Sequence, residues 1–221
     1  MPPSIPTDSP RPATGIWGQI HTERAALAAD LAGLGEGQWA IRSLCDRFTV
    51  REVLAHMTAG ASLTPVRWMA GVIRCRFHFD RQVALRLAEQ MGAAPDETLA
   101  RFRRVITSTT KPPLPRVAML GETVVHAEDI RRPLGIERDY PVDTLTALAT
   151  YYQGSDLPVL SKRRAAGLRL TATDGPFAAG DGPRVSGTTL ALVMAMAGRA
   201  PYCDQLDGEG VTTLRERQAM A

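Results

Sequence analysis

The sequence predicts a four-helix bundle with an accessory piece, followed by a small α+β domain. Three observations carry this expectation. Apolar residues recur at near-helical spacing in five or so segments before residue 154. A period of two first appears at Leu168–Thr173. Turn signals crowd the chain after that point, from Asp174-Gly-Pro to Glu209-Gly210. The 221 residues, 44% apolar and 22% charged, suit one large domain or a domain with a small appendage, and exclude a collagen, a disulfide scaffold or a disordered chain.

Residues 1–13 are Pro-rich and are expected to be a flexible lead-in. The bundle is placed at 14–154 and the α+β part at 155–221. The first helix starts at Ile16 and carries Ile20, Leu27, Leu31 and Leu34 before Gly35 and Gly37 close it. Trp39 to Phe48 is a connection. Thr49 then caps a second helix, with Glu52 three residues on completing a capping box that satisfies two orphan amides. Val50, Val53, Leu54 and Met57 extend this helix, which is expected to pass Gly60 and reach about Met69. Segments 81–91 and 96–109 read as helical, split by Gly92 and Pro95. Lys111-Pro-Pro-Leu-Pro115 is a breaker. A long helix follows from Val117 to Ile130, ended by Pro133 and Gly135, and another covers 143–153. Together these segments suffice for the bundle. Strand candidates are 168–173, 177–179 and 184–186, and Thr188–Gly198 is a compact apolar helix.

The net charge is +3, and of 26 basic residues only Lys111 and Lys162 are lysines. Such a balance slightly favours anionic ligands and falls well short of a nucleic-acid footprint. The longest apolar run, Leu190–Ala197, is far shorter than the ~20 residues of a membrane span. The stretch MPPSIPTDSPRP lacks the basic-then-apolar order of a signal peptide, so the cytoplasm is the default location. Cys45, Cys75 and Cys203 are far apart and form no CxxC, as expected of buried apolar residues or loose thiols in a reducing compartment.

Of the four histidines, His56 and His126 have informative neighbours. Glu122 and His126 are four apart on a helix, so both can reach one divalent cation, and Asp129 shares their face. The main apolar stripe of that helix, Val117, Leu120, Val124 and Ala127, runs roughly opposite, and periodicity alone describes the Glu/His/Asp face as solvated. His56 lies at the edge of the stripe formed by Val50, Val53, Met57 and Leu63 and is expected to point partly inward. A buried imidazole needs a partner, either a backbone carbonyl or a ligand. Taken together, His56, Glu122 and His126 make a His₂Glu set with an open fourth position, the ligand count of a catalytic zinc site. The protease signature H-E-x-x-H is absent.

Several stretches resemble the mycothiol-dependent maleylpyruvate isomerase family, within the DinB-like helical-bundle superfamily of metal-dependent thiol enzymes. They are Trp17…Glu23-Arg24…Leu27…Asp30-Leu31, Trp39…Ser43-Leu44-Cys45, Thr49-Val50-Arg51-Glu52-Val53-Leu54-Ala55-His56, Leu120 through Gly135, and a tail from Gly182 to Val211. The resemblance implies a metal, zinc or another divalent ion, on His56, Glu122 and His126, facing a cleft between helices rather than bulk water. It implies mycothiol as thiol cosubstrate, activated as thiolate for cis–trans isomerisation or S-transfer on a small-molecule electrophile. It also implies a basic residue from the C-terminal part near the site, for which Arg199 is the candidate. Phe48 stands where the family commonly has Trp, and Glu52 where Asp is usual. Arg81, Arg131, Arg132 and Arg199 are candidates to hold anionic groups, and segments 70–80 and 107–116 to set the acceptor. Asp129 either orients His126 or pairs with Arg132. No nucleic-acid or membrane partner is expected; the arginines at 67, 74, 76, 81, 86, 101, 103 and 104 support the former only weakly. The alternative is a non-enzymatic lipid or small-molecule carrier, with the Leu190–Ala197 helix lining a pocket.

Overall fold

The computed structural model describes residues 15–45 and 47–219; the expected lead-in at 1–13 lies outside the described residues. The chain is mostly helical, with one small sheet near its C-terminal end. Helix α1 spans Ile16–Asp30, α2 Val50–Ser62, α3 Pro65–Arg74, α4 Phe79–Gln90, α5 Pro95–Arg103, α6 Arg116–Arg131 and α7 Val142–Gly154. A short α8 (Ser161–Ala165) leads into strands β1 (Arg169–Ala172), β2 (Ala178–Ala179) and β3 (Arg184–Gly187), then α9 (Thr189–Met196) and α10 (Val211–Glu216). The strand order is β2-β1-β3, with β1 antiparallel to β2 and parallel to β3, where Leu170 lies opposite Val185.

The capping box forms as expected. The Thr49 amide donates to Glu52 Oε2 at 2.8 Å, and the Glu52 amide donates to Thr49 Oγ1 at 3.3 Å. The second helix does not run on to Met69. It stops at Ser62, because Pro65 has no amide hydrogen and drives the residue before it out of the helical region. Thr64 is accordingly extended and caps a separate helix, α3, by accepting from the Arg67 amide. Likewise α5 ends at Arg103 rather than 109.

Helix α6 is the axis of the molecule. It packs against α1, α2 and α7, and its residues enter both apolar clusters. Leu120 and Val124 join Leu148, Tyr152, Leu170, Val185 and Leu192 in one, while Ala127 and Ile130 join Leu27, Leu54 and Phe102 in the other. Gly121 lets α7 approach, since a Cβ there would collide with the Tyr152 ring and hydroxyl. Helix α9 is buried from Ala191 to Met196 within the first cluster. A buried polar chain adds ties across the fold: Arg131 Nε donates to Asp30 at 2.8 Å and Nη1 to the Tyr140 hydroxyl at 2.6 Å. Tyr140 and Tyr202 each donate to Glu128, at 2.8 and 2.7 Å. Among the described residues no helix is long and apolar enough to cross a membrane.

Candidate metal centre

The packing of α2 on α6 sets His56 against Glu122 and His126, which are one turn apart on α6. Glu122 Oε2 lies 3.4 Å from His126 Nε2 and 3.7 Å from His56 Nε2. One potential ligand atom from each of the three residues falls within 4.8 Å of the others. Tetrahedral zinc bonded to nitrogen and oxygen at about 2.0–2.2 Å would hold neighbouring ligands about 3.3–3.5 Å apart. The set therefore fits such an ion with movements of a fraction of an ångström to about one ångström. The imidazoles meet nearly edge to face, 5.0 Å apart and inclined at 82°. A cavity of about 20 Å³ is lined by all three side chains together with Arg24, Met57, Gly60, Met119 and Thr123. That is the room one water or one ion requires.

Both histidines are supported from behind. His126 Nδ1 is 2.9 Å from Asp129 Oδ2, which leaves Nε2 turned toward Glu122. Asp129 is fully buried and takes a two-pronged contact from Arg199, whose Nε donates to Oδ1 at 2.8 Å and whose Nη2 donates to Oδ2. Arg199, just beyond α9, is itself fixed by donating to the Ala197 carbonyl at 2.9 Å. His56 stacks on Phe48, with ring centres 6.2 Å apart and planes 18° off parallel.

The charges are strongly coupled. Burial raises the Glu122 pKa, but hydrogen bonds and attraction from His126 and His56 outweigh it and hold the carboxyl well below the usual range. Burial lowers the His126 pKa, but Asp129 and Glu122 outweigh it and push the imidazole up to about 9. Burial likewise raises the Asp129 pKa, and Arg199 and His126 bring it below normal. A cation on this site would replace the proton between Glu122 and His126, leaving the Nδ1 hydrogen of His126 directed at Asp129.

The structure thus brings His56, Glu122 and His126 together. Asp129 meets His126 and Arg199 rather than Arg132, whose guanidinium lies over the Tyr202 ring at 4.5 Å. Arg199 reaches the cluster through Asp129 and does not line the ion-sized cavity. Arg131 is buried against Asp30, and Arg81 lines a separate surface hollow with Arg74, Cys75 and Arg76. Among the described residues, no cysteine belongs to the metal-capable group.

Two arginines near the site escaped sequence reasoning. Arg24 is 2% exposed and donates to the carbonyls of Val105 and Ser108 at 3.3 and 3.0 Å, and burial lowers its pKa to about 10. Its signal was present: it falls in register with Ile20, Leu27 and Leu31 on the buried stripe of α1. Arg86, on α4, borders a second cavity of about 170 Å³ on the other side of His56, Glu122, Gly60 and Met119. Nothing in its local pattern points there.

Residues 20–111 match the family model described as the mycothiol maleylpyruvate isomerase N-terminal domain. By sequence, no match to a curated protein was found. Two solved structures share the fold. A histidine-to-alanine mutant of the mycothiol-dependent maleylpyruvate isomerase superposes with a TM-score of 0.60 at 17% identity, covering 90% of this chain and 93% of that one. A second crystal structure of the mycothiol-dependent maleylpyruvate isomerase gives a TM-score of 0.56 at 16% identity over the same shares. Residues 20–111 are therefore similar to the mycothiol maleylpyruvate isomerase N-terminal domain, on a chain whose fold matches these solved structures over nine tenths of its length.

Proposed function

We propose that the protein is a metal-dependent enzyme that activates a low-molecular-weight thiol, mycothiol, for cis–trans isomerisation or S-transfer on an electrophilic small molecule. The observation that carries this reading is the convergence of His56, Glu122 and His126 on one ion-sized cavity. The family match and the solved neighbours, which are mycothiol-dependent, support the thiol. The bundle, 14–154, supplies the ligands, and the C-terminal part, 155–221, supplies Arg199.

His56 Nε2, His126 Nε2 and a Glu122 oxygen would hold the divalent ion, most readily zinc. Two neutral imidazoles and one carboxylate leave a net positive site. When bound, such an ion lowers the pKa of a coordinating thiol so that it is deprotonated at neutral pH. The chain's own residues keep that site in register. Asp129 fixes the tautomer and tilt of His126, Arg199 holds Asp129 ionised, and Phe48 packs flat on His56. The 170 Å³ cavity opens beside the same ligands and seats the electrophile. A thiolate that adds to a conjugated double bond turns it into a rotatable single bond, and its expulsion after rotation gives the other isomer. A thiolate that displaces a leaving group stays on carbon.

The test is metal analysis of purified, zinc-reconstituted and dialysed protein. Wild type should retain about one ion per chain and His56→Ala should lose it; wild type without metal would end this reading.

A further inference from the structure

Helix α3 carries two apolar faces. Trp68, Gly71 and Val72 form the inner one: Val72 is buried, and a Cβ on Gly71 would meet the Gln82 and Arg86 side chains of α4. At about 100° per residue, Val66, Met69, Ala70 and Ile73 lie on roughly the opposite side. That side is uncovered: Val66 is 79% exposed, Met69 49% and Ile73 62%, and Ala70 is exposed with them. Phe77, 69% exposed, continues the set beyond the helix end. It sits in a turn where Arg76 and Phe77 take left-handed φ values of 51° and 63°, and its amide donates to the Val72 carbonyl at 2.9 Å. That conformation is uncommon for an aromatic residue, and it leaves the Phe77 side chain outside. Four of the seven large apolar side chains exposed among the described residues thus belong to residues 66–77. Exposed apolar residues scattered singly are ordinary, whereas a group of them marks a surface that meets something.

The charge around this face has one sign. No Asp or Glu occurs between Glu52 and Asp80, whereas Arg67, Arg74, Arg76 and Arg81 fall in or beside the segment. Asp80 is bound to Arg47 at 2.9 Å, and Arg67 lies 3.5 Å from Glu89, which also pairs with Arg86. Arg74, Arg76 and Arg81 have no ion-pair partner among the described residues, and they line one surface hollow with Cys75 and Leu85.

A lipid surface with anionic headgroups complements both features at once. Guanidinium groups bind phosphate through paired N–H donors, and the headgroup–acyl boundary receives the apolar row. A second copy of the chain fits worse, because a two-fold contact through this face would bring two sets of three arginines together. A protein partner also fits worse, since residues 65–77 amount to only about half of the 20–30 residues a side that a stable interface uses. Among the described residues no helix is long and apolar enough to cross a membrane, but a helix lying in the surface plane needs no such length.

We propose that the outer face of α3 and the turn to Phe77 dock the protein on an anionic lipid surface. Val66, Met69, Ile73 and Phe77 enter the headgroup–acyl boundary, and Arg74, Arg76 and Arg81 meet lipid phosphates. The inner face of the same helix walls the 170 Å³ cavity through Trp68, so a docked chain holds that cavity close to the bilayer.

The test is co-sedimentation of the full chain with vesicles of phosphatidylcholine alone and of phosphatidylcholine mixed with phosphatidylglycerol. Binding to the anionic vesicles should be at least about tenfold stronger and should fall as salt is raised. Arg74→Gln/Arg76→Gln/Arg81→Gln should weaken it about tenfold or more, and Ile73→Ser/Phe77→Ser by a similar factor. All five side chains are exposed, so circular dichroism should stay as in wild type. If the serine pair does not fold, Val66→Ser/Met69→Ser replaces it. Arg169→Gln/Arg184→Gln, exposed on the sheet, removes charge elsewhere and should change binding by less than about twofold. Equal binding to both vesicles overturns the proposal. So does anionic binding that neither serine pair weakens, or that the sheet pair weakens as much as the α3 triple, because either is the adhesion of a basic chain alone. A dimer in analytical ultracentrifugation that Ile73→Ser/Phe77→Ser converts to monomer also overturns it, by giving the face to a second copy.

Discussion

Replacing Asp129 with asparagine keeps the side chain's shape and removes its charge. In the native arrangement Asp129 accepts two hydrogen bonds from Arg199 and one from His126, all to a carboxylate with no exposure. An amide offers one acceptor oxygen and turns two hydrogens toward donors, so His126 loses the partner that fixes its ring. Groups that orient a metal-bound histidine from behind are typically worth 10–100-fold in metal affinity, or about 1.4–2.7 kcal/mol. Asp129→Asn should therefore weaken zinc binding by roughly that factor, read by competition with a chelator of known affinity. Asp129→Ala goes further, because the Arg199 side chain, 12% exposed, is left without its counter-charge. Breaking a buried pair in this way costs about 3–5 kcal/mol, visible in urea denaturation of the metal-free protein. The double variant Asp129→Ala/Arg199→Ala should be less destabilised than the two singles added together, by about 0.5–3 kcal/mol. A well-folded Asp129→Asn protein with unchanged zinc affinity would refute the orienting role.

Three further expectations concern the scaffold. Thr49→Ala removes the side-chain oxygen that caps α2 and should cost about 1 kcal/mol in urea denaturation, with no change in metal stoichiometry. Gly121→Ala places a methyl against Tyr152 and should destabilise by about 1–3 kcal/mol, with Tyr152→Phe recovering part of the loss. Burial, and for Tyr140 and Tyr202 also the Glu128 charge, raises the pKa of Tyr140, Tyr152 and Tyr202. Their folded-state values lie above the unfolded value near 10. Their contribution is therefore complete below pH ~10 and is lost as pH rises beyond it, so the free energy of unfolding should decline across that alkaline range, followed by circular dichroism.

The helices and the small sheet were legible because their signals are local. The Thr49–Glu52 capping box, the Pro133–Gly135 stop and the alternation around Leu170 each act within a few residues. The break at Pro65 was equally local, yet apolar residues recur on both sides of it, at Met57, Leu63, Val66 and Met69, and so hid it. The face of α6 was the harder problem. Periodicity put Glu122, His126 and Asp129 toward water because a stripe test assumes one buried side. Helix α6 is buried nearly all round, so its polar residues face another helix instead. Only the resemblance to a known family turned that face inward. Arg86 and the cavity it borders depend on how α3 and α4 and the 111–115 segment close over α2, which no local pattern encodes.

The account rests on three side chains gripping one cation, and an anomalous difference map of zinc-soaked crystals, recorded on both sides of the zinc absorption edge, tests it most directly. A single strong peak about 2 Å from His56 Nε2, His126 Nε2 and a Glu122 oxygen is the predicted result. A peak elsewhere, or none at that position, would contradict it.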